Sequence, residues 1–173
     1  MSRAFVKEDD AGQAPLIPPR AALPPNTPNY VTPAGLEALR QELLDLEQQR
    51  SRVEQQRDNE ADRTRQLTIL KGRLAALTER LGSAKPIEPD LESPAEVRFG
   101  TTVTLETVAG GKPGQRRKFT LVGVDEADLK EHKIAFVAPI AQAVLGKKQG
   151  EQAELRLGAR TEILVVKHIS YGQ

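Results

Sequence analysis

Two runs of leucine, mirror images of one another across a short acidic stretch, constrain this chain more than any other feature. The first reads Leu36, Leu39, Leu43, Leu46, then Arg50, Val53 and Arg57. The second reads Arg63, Leu67, Leu70, Leu74, Leu77 and Leu81. Both advance in threes and fours, the seam of a coiled coil rather than a broad amphipathic face. Folding the segment so that Leu43 meets Leu74, and Arg50 meets Leu67, puts the centre of symmetry between Asp58 and Asn59. The spacing predicts an antiparallel two-helix finger over residues 30–83, with Asp58, Glu60 and Asp62 at its tip.

The ends of both helices carry their own signals. Thr32 is placed to cap the first free amides, and Pro33 sits where its missing N–H costs nothing. A first helix from there to near Arg57 has about 24 residues and reaches roughly 36 Å. The second runs from about Glu60 to Leu81, with Gly82 suited to a left-handed cap. Arg50 and Arg57 interrupt the apolar seam, which implies a weaker coil near the tip, their stems packing and their heads reaching water.

Sequence on either side of the finger obeys other rules. Prolines at 15, 18, 19, 24, 25 and 28 make residues 1–29 read as a disordered proline-rich tail. Within it, Leu16-Ile17-Pro18-Pro19-Arg20 is a candidate ligand for a partner's groove. Pro86 and Pro89 mark a linker over 84–95. Beyond it the period falls to two: Val103 and Leu105 alternate with Thr102, Thr104 and Glu106, a strand pattern. A glycine-rich turn at 109–114 leads into a second strand at 118–123, forming a hairpin. Further strands are predicted at 134–137, 153–157 and 162–166, with a short helix from Pro139 to Leu145 closed by Gly146. Residues 96–173 therefore read as a small antiparallel sheet domain with one short helix, and the chain as α+β.

Composition narrows the chemistry. The 173 residues carry a formal charge of +1, so no global field draws the chain to nucleic acid or membrane. Absence of cysteine excludes disulfides and thiolate metal sites and fits a reducing cytoplasm. No stretch is long and apolar enough to span a bilayer, and Lys7-Glu8-Asp9-Asp10 does not read as a secretion signal. His132 and His168 stand apart with no ligand spacing around them. Arg116-Arg117-Lys118 has no interleaved aromatics to stack bases and reads as a solvated edge.

The order of three motifs resembles the bacterial Gre transcript-cleavage factors, GreA and GreB. Tyr30-Val31-Thr32-Pro33-Ala34-Gly35-Leu36 is similar to their first-helix entry, and Phe99-Gly100-Thr101-Thr102-Val103 to the start of their C-terminal domain. Pro139-Ile140-Ala141-Gln142-Ala143-Val144-Leu145-Gly146-Lys147-Lys148-Gln149-Gly150 resembles their proline-helix-GKK segment. The resemblance spans residues 30–173. It implies an FKBP-like C-terminal domain that docks on RNA polymerase at the rim of the secondary channel, here through Pro139, Ile140 and Ala141. It further implies a finger whose tip acids, Asp58, Glu60 and Asp62, help the polymerase's own active centre cleave backtracked RNA. On that reading the chain is an accessory factor and not an enzyme, a cytoplasmic monomer touching RNA and DNA only through the elongation complex.

Magnesium would be shared with the polymerase rather than held by the chain, because this cation keeps several waters and takes few protein carboxylates. The tip departs from the family pattern Gly-Asp-x-x-Glu-Asn-Ala-(Asp/Glu)-Tyr. With Ala61-Asp62 aligned, Asn59 stands where Glu is expected, Glu60 where Asn is, and Arg63 where Tyr is. The finger is also shorter by about a heptad, roughly 10 Å of reach. Val137-Ala138-Pro139 replaces the family's Asp-Ser-Pro. The alternative within this class is thus a regulator that occupies the channel without cleavage. The bland reading of the three acids is a solvated turn favouring the start of the second helix. A prolyl isomerase and a general coiled-coil scaffold are the competing classes; the first lacks enough aromatic residues for its pocket.

Overall fold

The computed structural model describes residues 14–90 and 92–172. Residues 1–13 of the expected tail, position 91 of the expected linker and position 173 of the expected C-terminal domain lie outside that range. Strand β1 (Asn29–Val31) leads into helix α1 (Pro33–Gln55), and after a four-residue bend helix α2 (Glu60–Ser83) returns to strand β2 (Ala84–Pro86). All ten apolar rungs of the two ladders pack together, Leu39, Leu46, Val53, Leu70, Leu74 and Leu77 buried, with Leu36, Leu43, Leu67 and Leu81 against them. Thr32 caps α1 by accepting from the Gly35 amide at 2.9 Å.

The other end of the hairpin is built differently from expectation. Gly82 is not a left-handed cap; it lies inside α2, and the chain leaves through Ala84 in an extended conformation. The reason is the small sheet at the base, where β2 runs parallel to β1 with Asn29 opposite Ala84. A left-handed exit would turn the chain away from that pairing. The freed carbonyl at Arg80 is satisfied by buried Asn29, whose Nδ2 donates to it at 2.9 Å. The stretch expected as a linker over 84–95 thus starts with a strand.

The disordered tail also needs correction where it is described. Residues 14–28 have no regular strand or helix, but Arg20 is fixed by ion pairs with Glu42 and Asp125, both at 2.9 Å. Its proline-rich path follows the surface of the hairpin instead of leaving it.

The second unit is a five-stranded sheet in the order β5-β4-β3-β7-β6: β3 (Thr101–Ala109), β4 (Arg116–Val122), β5 (Lys133–Ala135), β6 (Gln152–Leu157) and β7 (Arg160–Tyr171). Pairing is antiparallel except at one edge, where β5 runs parallel to β4. A 3-10 turn over Leu129–Glu131 precedes β5, and short helix α3 (Pro139–Val144) follows it. Inward residues Val103, Leu105, Phe119, Leu121, Leu164 and Val166 form the core, closed by Ala141 and Val144 of α3. Strand β7 is more than twice as long as the run read from its hydrophobic residues. Two irregularities of register against β3 let it bend and continue past them.

Candidate functional site

The tip is organised by Asn59. Its backbone is left-handed, φ 44°, and its side chain accepts from the Asp62 amide at 3.1 Å. Asparagine tolerates that backbone better than most residues and is a strong N-cap, so one side chain both turns the chain and starts α2. Glu60 and Asp62 occupy the first turn of α2, where the helix dipole favours acids. Arg63 reaches across the bend and donates to the Gln56 carbonyl at 2.9 Å, closing the loop.

Asp58, Glu60 and Asp62 are all exposed. They do not converge. Glu60 and Asp62 are two positions apart on one helix and therefore point to different faces. Asp62 is further engaged by Gln66, whose Nε2 donates to Oδ2 at 2.7 Å. Among the described residues no group of three His, Cys, Asp or Glu side chains is placed to hold a metal ion. Glu60 and Asp62 therefore present their carboxylates separately along the first turn of α2.

A second candidate lies on the sheet domain, a cleft of about 480 Å³ with Phe119, Ile134, Leu129, His132 and Ile140 among its lining. Leu129 at its edge is 79% exposed. Of the three residues expected to dock, Pro139 is exposed and Ile140 lines this cleft. Ala141 is fully buried against the sheet and cannot belong to a contact surface. The sequence reading missed Leu129, whose signal was a lone large apolar side chain inside Asp125-Glu126-Ala127-Asp128-Leu129-Lys130-Glu131. Phe119 and Ile134 had no such signal, since strands alternate faces regardless of function.

Arg116, Arg117, Lys118 and His132 also line this cleft. Arg116 pairs with Glu106 at 2.9 Å, and Arg117 with Glu162 at 2.7 Å, so the basic run is largely neutralised within the domain. His132 ends the 3-10 turn in a left-handed conformation, and His168 lies exposed on β7. Arg50 is half-buried beside Glu54, 3.7 Å away. Among the described residues no helix is long and apolar enough to cross a membrane.

Comparison with known proteins agrees with this geometry. The family model described as "Transcription elongation factor, GreA/GreB, C-term" matches residues 92–171. Transcription elongation factor GreA of Neisseria meningitidis is 33% identical over 157 residues, covering 80% of this chain and 97% of that protein. GreB of the same organism is 30% identical over 159 residues, covering 84% and 95%. GreA of Hyphomonas neptunium is 34% identical over 104 residues, and there the match spans only 60% of this chain and 64% of the relative. Finger and sheet domain are both within the longer alignments, and the chain belongs to the GreA/GreB family of transcription elongation factors.

Proposed function

We propose that this protein binds RNA polymerase and acts from its secondary channel, the sheet domain docking at the rim and the finger entering. The observation that carries the reading is the finger itself: 23- and 24-residue helices held by a continuous apolar seam, with every acid of the tip exposed. Its contacts with the sheet domain gather at the base, leaving the distal half as a slender probe. The cleft walled by Leu129, Ile140 and Phe119 is the docking surface on this reading, its apolar floor offered to the polymerase.

Tip geometry favours occupation of the channel over stimulated cleavage. Cleavage assistance calls for carboxylates brought to one point beside the polymerase's metal, whereas Glu60 and Asp62 diverge and Asp62 is tied to Gln66. The cleavage reading keeps one supporting fact, the exposure of Asp58 and Glu60 at the extreme of the probe. Purified protein added to backtracked elongation complexes separates the two. Binding to core polymerase with RNA length unchanged and nucleotide addition slowed is the expected result. Shortening of the RNA from its 3′ end would establish the cleavage reading instead, and failure to bind polymerase would end both.

A further inference from the structure

Residues 15–21 precede the stretch that resembles the family, yet they make the most connected polar contact in the described chain. Arg20 donates to both oxygens of Glu42 on α1, from Nη1 at 2.9 Å and Nη2 at 3.0 Å. The same guanidinium donates to Asp125 Oδ1, from Nε at 3.1 Å and Nη2 at 2.9 Å. Asp125 follows β4 in the sheet domain, so one side chain joins the finger to its platform. Arg80 of α2 stands 3.1 Å from the other oxygen of Asp125, a charge contact without hydrogen-bond geometry. Arg80 Nη2 also donates to the carbonyl of Ala21. The Arg20, Arg80 and Asp125 side chains are only 18%, 13% and 9% exposed, so solvent screens this node less than a surface pair.

A second, apolar attachment lies about two turns back along α2 from Arg80. Gly72 sits in the middle of α2, where glycine weakens a helix relative to alanine. A Cβ there would run into the side chain of Ile17, meeting Cγ1 at 3.1 Å and Cγ2 at 3.3 Å as well as its terminal methyl. The glycine therefore makes a seat for Ile17. The seat is shallow: Leu16 beside it is 88% exposed, and clefts of about 500 Å³ and 390 Å³ flank the segment. Attachment is by a few directed contacts and not by a core.

We propose that residues 15–21 are a strap in cis that fixes the angle of the finger on the sheet domain, with Arg20 as the positioning residue that bridges Glu42 and Asp125. This assignment replaces the alternative that Leu16-Ile17-Pro18-Pro19-Arg20 is a free motif for a partner's groove. It does not depend on what the finger enters. The other ties between finger and sheet domain lie at the base, where Thr32 donates to Glu126, Arg80 faces Asp125 and Tyr30 packs on Phe99 and Phe136; Arg20 adds a tie further out along α1, at Glu42.

The absence of native cysteine allows the angle to be measured directly. Ser51→Cys on the finger and Glu154→Cys on β6 are exposed positions for nitroxide labels. The full chain is expected to give one narrow distance distribution, and Arg20→Gln to broaden it at least twofold while the thermal midpoint of each unit's helix and sheet signals stays close to the parent's. Arg20→Lys, which keeps the charge but loses the fork, is expected to fall between them. An Arg20→Gln distribution as narrow as the parent's would overturn the proposal. Independently, Gly72→Ala is expected to raise the melting temperature more in an Ile17→Ala background than in the parent, because the seat is then empty. Equal increments in the two backgrounds would show that Ile17 is not seated and would equally overturn the strap.

Discussion

Tyr30 packs against Phe136 with ring centroids 5.5 Å apart, although one belongs to the base of the finger and the other to the sheet domain. Phe99 completes the group, 5.8 Å from Tyr30 and 5.4 Å from Phe136, edge-on to the latter. Few aromatic residues occur in this sequence, and three of them meet at the junction of its two units. Such tilted and edge-on pairs add to simple burial, each by about 0.5–1.5 kcal/mol.

Replacing Tyr30 with Ala should therefore cost about 2 kcal/mol, less than a fully buried aromatic because the ring is only partly covered. Denaturant unfolding followed by helix circular dichroism and by tyrosine fluorescence, which in Tyr30→Ala comes from Tyr171 of the sheet domain alone, would report it. In the parent the two signals should move together; in Tyr30→Ala they should separate, as the finger loses one anchor.

Among the described residues Glu162 is the buried acid of the sheet domain, and its loss should strain that domain itself. It is 3% exposed by side chain and takes Arg117 at 2.7 Å on one oxygen and Arg160 at 3.1 Å on the other. Removing one partner of a buried pair strands the other charge, at a cost of about 3–5 kcal/mol when both are deeply buried. Arg117 is 28% exposed and can turn to water, so Glu162→Ala should cost about 2 kcal/mol, measured by urea midpoint. Glu162→Gln, which keeps a hydrogen-bond acceptor, should lose less.

The parts of this fold legible in sequence were those with a repeating pattern. The step of three and four from Leu36 to Leu81 identified every rung of the seam, and Thr32-Pro33 fixed where the first helix begins. The alternation around Val103 and Leu105 identified β3. Strands β1 and β2 were invisible because three residues pairing in parallel show no period, and that pairing is also why Gly82 was mistaken for a helix end. Pro139, Ile140 and Ala141 were put forward together through their motif, and Ala141 proves buried because a motif does not say which side of a short helix faces the core. Contact of Arg20 with Asp125 spans 105 positions and leaves no local trace at all.

Alkali should leave the Arg20 bridge untouched. Its hydrogen bonds to Glu42, opposed by burial and reinforced by Asp125, raise the guanidinium above its already high ordinary value. A folded-state value above the unfolded one means the stabilisation is fully present below the unfolded value and is lost only as pH rises through the folded one. Both lie beyond the working range of a protein. The narrow label-distance distribution of the parent should accordingly be the same at pH 7 and pH 9. Lys133, raised by its hydrogen bond to Glu131, follows the same sign at the edge strand: its contribution persists below the ordinary lysine value and fades as pH climbs through the raised one.

Leu129 and Ile140 offer a test of the docking surface that folding does not confound. Leu129→Asp changes a side chain that is 79% exposed, so its effect on stability should stay within about 0.5 kcal/mol. Binding to core polymerase should nevertheless weaken at least tenfold, since an apolar anchor in a contact surface becomes a charge that must be desolvated. A variant with parent-like affinity would move the docking surface away from this cleft.

At the tip, the two duties of Asn59 and the acids beside it can be separated by substitution. Asn59→Ala removes the cap on Asp62 and forces a left-handed backbone on a residue with a Cβ, so it should cost about 2 kcal/mol. Asn59→Gly relieves the backbone while losing the side-chain bond, and glycine at an N-cap is only a few tenths of a kcal/mol worse than asparagine, so it should be nearly neutral. Asp58→Ala with Glu60→Ala leaves that cap intact, and the pair should retain polymerase affinity. If the finger works by occupying the channel, this double variant should slow nucleotide addition as the parent does, because bulk and reach are unchanged. If instead the acids act on the polymerase's metal, the effect on backtracked RNA should vanish while binding persists, a result read from a single gel of RNA lengths.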